Sequence, residues 1–325
     1  MSMLVLGVDG GNTKTVALAA RPDGTLVGYG RGGCADIYET PLDVAIAEIE
    51  AAARASLPTE AALQEVGTAV FSLAGADWGE DKEQLHAALS VLVPRAAVTV
   101  VNDAIGALRA GTTDGVGVAV VCGTGGCVGS RGRDGREWHS SWWGLHTGAS
   151  AMGRDALAAV YAAELESGPA TTLTAAALET FREPTVESLL HGFSRRNGRR
   201  HPREAGLLTP SLLRLALAGD GVAVTVVRDH GEKLATMAWA AARKVGLEPP
   251  YPLILLGGVM RGAGAELLIE PIADRLPGAE PVRPTREPAA GALLMALDRA
   301  GAAYDPAVVD ATMPSHEFFG TLPGA

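Results

Sequence analysis

The sequence predicts an α/β fold built from two related lobes, and three observations lead to this prediction. A strand, a glycine-rich loop and a second strand open the chain, and the same unit recurs about 110 residues later. Between and after these units, strand patterns alternate with amphipathic helix patterns. With 325 residues, the chain exceeds one typical domain and has the length expected for two.

The first unit covers residues 4–15, which read LVLGVDGGNTKT. An apolar strand ends at Asp9. The loop after it contains Gly10, Gly11, Asn12, Thr13 and Lys14. Glycines let main-chain N–H groups approach an anion closely, while Thr13 and Lys14 add a hydroxyl group and a positive charge. The carboxylate of Asp9 is the kind of oxygen ligand that Mg²⁺ prefers.

This loop is predicted to hold nucleotide phosphates. The spacing of its glycines indicates which class of phosphate-binding loop it is. Neither a GxGxxG dinucleotide fingerprint nor a GxxxxGK[ST] P-loop is present. After Lys14 the chain resumes as a strand rather than opening a helix, which predicts a strand–turn–strand loop in a β-meander. The alternatives are an ordinary glycine-rich hairpin and, for Asp9, an aspartate that only starts a turn.

The rest of the first half continues the α/β pattern. Residues 4–29 predict three strands, and the segments that follow give a βββαβαβα order. The further predicted elements are helices over 41–56, 82–92 and 104–110 and strands over 66–73 and 97–101.

The second half repeats the opening unit. Strands are predicted over 116–122 and 127–130, joined by Gly123, Thr124, Gly125 and Gly126. A third glycine turn follows the apolar residues 253–256 and contains Gly257, Gly258 and Val259. Residues 150–248 are predicted to be mostly helical, 289–300 to form a helix, and 304–325 to be an irregular tail packed on a domain. Two loops of this kind are predicted to face a shared cleft.

Composition excludes several classes of function. The net charge of -10 argues against extended nucleic-acid binding. Three cysteines form no CxxC motif or disulfide framework, which predicts a reducing cytoplasm. The start of the chain lacks the pattern of a signal peptide, and no apolar run reaches the length of a membrane span, so no membrane association is expected.

Five segments, in order and spacing, resemble the actin-like ATPase superfamily, and most closely its branch of N-acetylglucosamine kinases and BadF/BadG/BcrA/BcrD-type ATPases. These segments are VDGGNTKT, VVNDAIGAL, VCGTGGCVGSR, LLGGVMRGAG and PAAGALLMAL. The resemblance covers about residues 1–300 and implies duplicated ribonuclease H-like domains around an inter-lobe cleft. Its expected divisions are an N-terminal lobe over 1–115, a C-terminal lobe with a helical insertion over 116–290, and a returning helix and tail over 291–325.

The resemblance also implies site roles. It implies that residues 9–14 form the first phosphate loop, with Asp9 near Mg²⁺. It implies that residues 123–126 form the second phosphate loop, in which Thr124 contacts phosphate. Residues 257–259 resemble the adenosine motif. Asp103 is expected to be the general base. The expected cofactors are ATP and Mg²⁺, the expected partner is a sugar or amino sugar, and we also expect a homodimer.

The expected sugar-side residues are Asp36, Asn102, Asp103, Trp138 and Gly148. Asp36 stands where the kinases often carry a sugar-binding asparagine. Gly148 lies in residues 144–150, which match the GDEGS-like segment of the kinases but lack its acidic pair. The identity of the sugar and of its phosphorylated hydroxyl therefore stays open.

Other interpretations remain open for several features. Asp103 could instead cap the helix that starts at Ala104. Three tryptophans within 138–143 could line the sugar or form an interdomain contact. The arginine-rich run 195–203 is typical of a solvated face. The whole chain could instead be a BadF-type ATPase that activates a partner protein, or a sugar-binding regulator without catalysis; cysteine placement and the two phosphate loops argue against these.

Overall fold

The computed structural model describes residues 3–144, 146–196 and 200–320. Its strands are β1 Leu4–Gly10, β2 Thr15–Ala20, β3 Leu26–Gly32, β4 Val66–Leu73, β5 Ala97–Asn102, β6 Gly117–Cys122, β7 Gly126–Arg131, β8 Glu137–His139, β9 Tyr251–Leu256 and β10 Ala279–Val282. Its α-helices are α1 Leu42–Ala55, α2 Gly79–Leu92, α3 Asp103–Gly111, α4 Ala149–Glu164, α5 Leu173–Phe181, α6 Val186–Ser194, α7 Thr209–Leu217, α8 Gly221–Lys244, α9 Gly258–Arg261, α10 Glu266–Arg275, α11 Pro288–Arg299 and α12 Pro306–Thr312. Short 3₁₀ helices cover Glu60–Glu65, Pro202–Leu208 and His316–Phe319.

The strands form two five-stranded sheets, in the orders β3-β2-β1-β4-β5 and β10-β9-β6-β7-β8. In the first sheet β1, β2 and β3 are an antiparallel meander, whereas β4 pairs parallel with both β1 and β5. The observed order of elements confirms the predicted βββαβαβα order. Helices α1 and α2 lie in the crossover connections that join the parallel strands β1, β4 and β5.

The first sheet is covered on both faces by apolar side chains. Side chains alternate between the faces of a strand, so Leu6 and Val8 join one core, whereas Val5 joins the other. The second core contains most of α11, which is why that helix is almost entirely buried. Gly7 on β1 has no room for a side chain, because a Cβ atom there would overlap the main chain of Leu293.

The chain divides into two compact units. The first comprises the described residues of Met1–Ala119, Gly129–His139 and Val282–Ala325, and the second comprises those of Val120–Val128 and Ser140–Pro281. Helices α4 to α8 lie in the second unit and cover most of residues 150–248, which confirms the prediction of a mostly helical stretch there; β9, α9 and α10 follow in the same unit.

Several elements differ from the sequence prediction; α9, α10 and the 3₁₀ helix Glu60–Glu65 were not predicted, and three further differences concern the tail and two short strands. The tail predicted as irregular forms helix α12, capped by the side chain of Asp305, which accepts a hydrogen bond from the N–H of Ala307. Strands β8 and β10 were not predicted, because each has only three or four residues and no apolar alternation. Within the described ranges no single helix is long and apolar enough to cross a membrane, although the bent pair 202–217 and 221–244 passes a test of length and composition.

Candidate active site

The carboxyl ends of three parallel strands meet at one edge of the first sheet. The register pairs Gly10 of β1 with Leu73 of β4, and Leu73 with Asn102 of β5. The loops that leave these strands therefore start side by side, and they carry most of the residues that the sequence singled out in the first unit. Ligands of open α/β sheets bind at this kind of edge.

The first predicted phosphate loop is a tight turn between β1 and β2. The N–H of Gly11 donates to the carbonyl oxygen of Lys14 over 2.9 Å, which closes the turn. Neighbouring loops anchor it from outside, since Ala74 N–H donates to Gly10 O over 2.8 Å and Ala35 N–H to Gly11 O over 3.1 Å. The strand–turn–strand geometry expected for residues 9–14 is what the structure contains.

Lys14 reaches from this loop to the C-terminal segment. Its Nζ donates to the carbonyl oxygen of Phe319, and the guanidinium of Arg31 donates to the carbonyl oxygen of Gly320. Phe318 packs edge-on against Tyr29, with ring centroids 4.6 Å apart. These contacts attach the end of the described chain beside the first loop.

Asp36 is buried and joined to the first loop. Asn12 Nδ2 donates to Asp36 Oδ2 over 2.6 Å, and Tyr38 N–H donates to Asp36 Oδ1 over 2.9 Å. Burial is the main cause that raises the pKa of Asp36, and the hydrogen bonds from Tyr38 and Asn12 oppose it. The structure thus brings the predicted sugar-side residue Asp36 next to the predicted phosphate loop.

Asn102, rather than Asp103, caps the helix that follows β5. The side-chain oxygen of Asn102 accepts from the N–H of Ala104 over 3.1 Å, and Asp103 is the first residue of α3. The alternative role of Asp103 as the helix cap is therefore wrong. An asparagine at the N-cap position satisfies one of the N–H groups that the first turn leaves without a partner, and the main-chain N–H of Ala104 also acts to lower the pKa of the Asp103 carboxyl.

The carboxyl groups of Asp9 and Asp103 have unusually high pKa values. Burial raises both pKa values from 3.8 to about 7. For Asp9 the largest charge effect in the same direction comes from Asp103, and for Asp103 it comes from Asp77. Lys14 acts in the opposite direction on Asp9. Such perturbed carboxyl groups are typical of functional sites.

The carboxyl group of Asp9 fits the requirements of a Mg²⁺ ion bound with a nucleotide. Mg²⁺ is usually held by one or two carboxylates together with phosphate oxygens and water. The carboxyl group of Asp9 is costly to ionise without a cation, and a nearby divalent charge would offset that cost. The described residues hold no group of three or more histidine, cysteine or acidic side chains arranged as a metal site of its own.

The second predicted phosphate loop lies in the second unit and is packed against the start of α4. Ala149 N–H donates to Gly123 O over 2.8 Å, and Ser150 N–H donates to Thr124 O over 3.0 Å. Gly148 precedes the helix with φ of 92°, and a Cβ atom there would overlap the main chain of Gly125. Gly148 therefore supports the loop through main-chain packing.

The glycine turn after β9 adjoins the same loop. Gly257 has φ of 101°, and a Cβ atom on it would overlap the main chain of Cys122, the last residue of β6. A Cβ atom on Gly258 would have nothing within 4 Å, and Val259 is buried. The second unit thus brings together the residues predicted to contact phosphate (123–126), the predicted adenosine motif (257–259) and Gly148.

The tryptophans within 138–143 do not share one environment. Trp138 lies on β8 in the first unit and is half-buried, whereas Trp142 and Trp143 lie in the second unit and are exposed by 59% and 58%. Lys244 lies over the ring of Trp143, 5.9 Å from its centroid. Of these three residues, only Trp138 lies in the same unit as Asp36 and Asp103.

Two other features of the sequence have local structural roles. The arginine-rich run 195–203 lies partly outside the described residues, but Arg200 within it pairs with Glu183 over 3.2 Å and stacks on Phe181. Cys122 is buried, and burial raises the pKa of its thiol to about 12, so the side chain packs as a neutral thiol.

Sequence reasoning missed Asp77 and His139. Asp77 Oδ1 accepts from Asn102 Nδ2 over 2.8 Å, and His139 Nε2 lies 3.1 Å from the carbonyl oxygen of Asp77. The only signal in the sequence was the position of Asp77 just after β4, at the same sheet edge as Asn102. His139 lies 62 residues further along the chain, so no local pattern connects it with the site.

Comparisons with known proteins agree on one family. The model of the BadF/BadG/BcrA/BcrD ATPase family matches residues 6–296. An N-acetyl-D-glucosamine kinase from Dictyostelium discoideum is 28% identical over 91% of this chain and 98% of its own length. An N-acetylmuramic acid/N-acetylglucosamine kinase from Clostridium acetobutylicum is 25% identical over 79% of this chain and 85% of its own length.

A solved structure shares the fold. The crystal structure of a protein from Chromobacterium violaceum, provisionally named an N-acetylglucosamine kinase, aligns with a TM-score of 0.70 and 24% identity. The alignment covers 90% of this chain and 98% of that one. The predicted α/β fold of the actin-like type is therefore confirmed.

Proposed function

We propose that this chain, which belongs to the BadF/BadG/BcrA/BcrD ATPase family, is an ATP-dependent kinase of an amino sugar. The observation that carries this proposal is the match to an N-acetyl-D-glucosamine kinase along nearly the full length of both proteins. Membership in an ATPase family indicates that the chain uses ATP. The second kinase relative, which acts on N-acetylmuramic acid and N-acetylglucosamine, supports the same class of substrate.

The proposed chemistry assigns Asp103 as the general base. A sugar hydroxyl is a weak nucleophile, and a carboxylate within hydrogen-bonding distance can accept its proton as the new P–O bond forms. A pKa of about 7 suits this role, because the carboxyl group is then basic enough to accept a proton and is still substantially ionised near neutral pH. Asp36 and Trp138 are proposed to contact the sugar, whereas Asn102, which is buried, and Gly148, which packs on the main chain of Gly125, are proposed to support the site.

The two loops are proposed to hold the nucleotide. Lys14 and Thr13 in the first loop and Thr124 in the second provide a positive charge and hydroxyl groups for phosphate oxygens. Residues 123–126 and 257–259 are proposed as the rest of the nucleotide site. When bound, Mg²⁺ beside Asp9 would neutralise charge on the transferring phosphoryl group.

Sugar-dependent release of ADP tests the proposal. Purified protein is assayed with ATP and Mg²⁺ in a coupled ADP assay, across hexoses, amino sugars, N-acetylglucosamine and N-acetylmuramic acid. We expect at least one amino sugar to raise ADP release well above the rate without sugar, and mass spectrometry to find a phosphorylated sugar. Steady ATP hydrolysis that no sugar stimulates would contradict the kinase proposal and support the ATPase activator instead.

The same proposal includes three expectations that need their own measurements. A homodimer is tested by light scattering of the purified protein, and a cytoplasmic location by fractionation of the source cells. The division at residues 115 and 290 is tested by limited proteolysis with and without MgATP.

A further inference from the structure

We propose that Asp77 and His139 are positioning residues that fix the start of α3 and thereby hold the carboxylate of Asp103 in place. The proposal rests on the kinase function proposed above, since it assigns Asp103 as the base. It concerns two residues that neither the sequence motifs nor the comparisons assign to the site.

The first step is the orientation of the Asn102 side chain. Its Nδ2 donates to Asp77 Oδ1 over 2.8 Å, and its Oδ1 accepts from Ala104 N–H over 3.1 Å. The amide has a donor end and an acceptor end, so the carboxylate of Asp77 determines which end faces the helix. Asn102 is only 1% exposed, and water cannot easily replace either partner.

The second step connects this amide with Asp103. Asn102 and Ala104 are the residues on either side of Asp103, so the cap fixes the main chain on both sides of it. Ser72 Oγ adds a third restraint, because it donates to the carbonyl oxygen of Asp103 over 3.3 Å. The direction of the Asp103 side chain is therefore set by a main chain that Asn102 holds, and Asn102 is oriented by Asp77.

The third step is the support of Asp77 itself. Asp77 follows the turn after β4, where a loop without further contacts would be free to move. The Nε2 atom of His139, on the short strand β8, lies 3.1 Å from the main-chain oxygen of Asp77 and donates to it in the tautomer that carries the proton there. Burial lowers the pKa of His139, which favours the neutral ring. Its Nδ1 is buried and has no hydrogen-bond partner among the described residues.

Small shifts in such an arrangement are costly to catalysis. Reacting groups must be held within a few tenths of an ångström, and a displacement of about 1 Å can lower a rate about 100-fold. Asp77 and His139 do not need to contact the sugar to have this effect. Loss of the contact should therefore lower kcat while the KM for MgATP changes little.

The test compares Asp77→Ala with Asp77→Asn. The asparagine keeps a side-chain oxygen that accepts from Asn102, whereas alanine removes it. At about pH 8, where the Asp103 carboxyl is mostly ionised, we expect Asp77→Ala to lower kcat roughly 10-fold and to leave the KM for MgATP within about twofold. We expect Asp77→Asn to keep kcat within about threefold of wild type, and His139→Ala to lower it less than Asp77→Ala.

A spectroscopic measurement tests the same network without catalysis. In ¹H–¹⁵N spectra the backbone amide of Ala104 should shift in Asp77→Ala and stay near its wild-type position in Asp77→Asn. Asp23→Ala is the matched control, because Asp23 likewise accepts a hydrogen bond, from Thr25 N–H, but lies at an exposed turn. It should change neither kcat nor the Ala104 amide.

Two results would overturn the proposal. One is an Asp77→Ala variant with wild-type kcat and an unmoved Ala104 amide; the other is an equal loss of kcat in the alanine and asparagine variants, which would show that charge rather than the hydrogen bond matters. If wild-type protein phosphorylates no sugar, the proposed function fails, and the Ala104 amide still decides whether Asp77 orients the cap.

Discussion

The substitution Asp103→Asn should make the ligand-free protein more stable at alkaline pH while it strongly slows phosphoryl transfer. Burial and the charges of Asp77 and Asp36 raise the pKa of Asp103 from 3.8 to about 7. The folded protein therefore binds a proton that the unfolded chain has already released, and stability falls as the pH rises from about 4 to about 7. Above that range the loss is complete, and asparagine, which has no charge, avoids it.

The size of the effect follows from the pKa shift. A shift of about 3 units, at about 1.4 kcal/mol each, gives an upper bound of about 4 kcal/mol. Asp103 is half-buried, so solvent reduces the free-energy cost of ionising its carboxyl group. We therefore expect Asp103→Asn to raise the free energy of unfolding at alkaline pH by about 2 kcal/mol. The effect should be small at about pH 4, where the carboxyl group is protonated in the folded protein and nearly isosteric with the amide.

Urea denaturation of wild type and Asp103→Asn, across the range from about pH 4 to about pH 8, tests this reasoning. The control is Asp23→Asn, because a hydrogen bond from Thr25 lowers the pKa of Asp23, and this variant should gain nothing at alkaline pH. The kcat of Asp103→Asn should fall roughly 100-fold or more. A stability difference that does not grow with pH would refute the assignment of a raised pKa to Asp103, and near wild-type turnover would remove it as the base.

Three further predictions concern the nucleotide loops. Asp9→Asn should raise the concentration of Mg²⁺ needed for half-maximal activity about 10-fold, and superimposable Mg²⁺ titrations of variant and wild type would contradict the role of Asp9. Lys14→Ala should weaken ATP binding in calorimetry about 10-fold without lowering the melting temperature by more than a few degrees, because Lys14 is half-buried at a loop tip; unchanged affinity would exclude it from the phosphate site. Gly148→Ala should destabilise the second unit by about 2 kcal/mol or more and abolish ATP binding, because a side chain there meets the main chain of Gly125 at a φ of 92°. Gly221→Ala, where a Cβ atom has nothing within 4 Å, is the control, and equal behaviour of the two variants would show that the second loop is not held through Gly148.

The sequence was sufficient for the fold class and for the elements that carry strong local patterns. Apolar runs followed by glycine predicted the positions of β1, β6 and β9. The loop from Asp9 to Lys14 was expected to join two strands, and it does. The position of Asp103 directly after β5 was also foreseeable, because an apolar strand leads into Asn102. These features depend on residues that are close together in the chain.

Other parts depended on contacts between distant residues. Whether Asn102 or Asp103 caps α3 is decided by the orientation of the Asn102 amide, and that orientation depends on Asp77, 25 residues away. Helix α12 had a local signal, because Asp305 and Pro306 are typical of an N-cap and first helical position, but the prolines around it suggested an irregular tail. The two short strands gave no signal, since their pairing is decided by neighbouring strands rather than by their own residues.

The packing of Gly7 against Leu293 has a consequence for the order in which the protein can acquire its structure during synthesis. The strand that carries Asp9 leaves the ribosome before α11, which covers one of its faces and lies about 280 residues further along the chain. Until α11 is made, the apolar side chains of Val5, Val16 and Leu18 lack the neighbours that cover them in the folded protein. The second unit, whose main part runs without interruption from Ser140 to Pro281, can close first. One apolar face of the first sheet therefore stays uncovered throughout this interval, and such exposed apolar surface is prone to aggregation during folding.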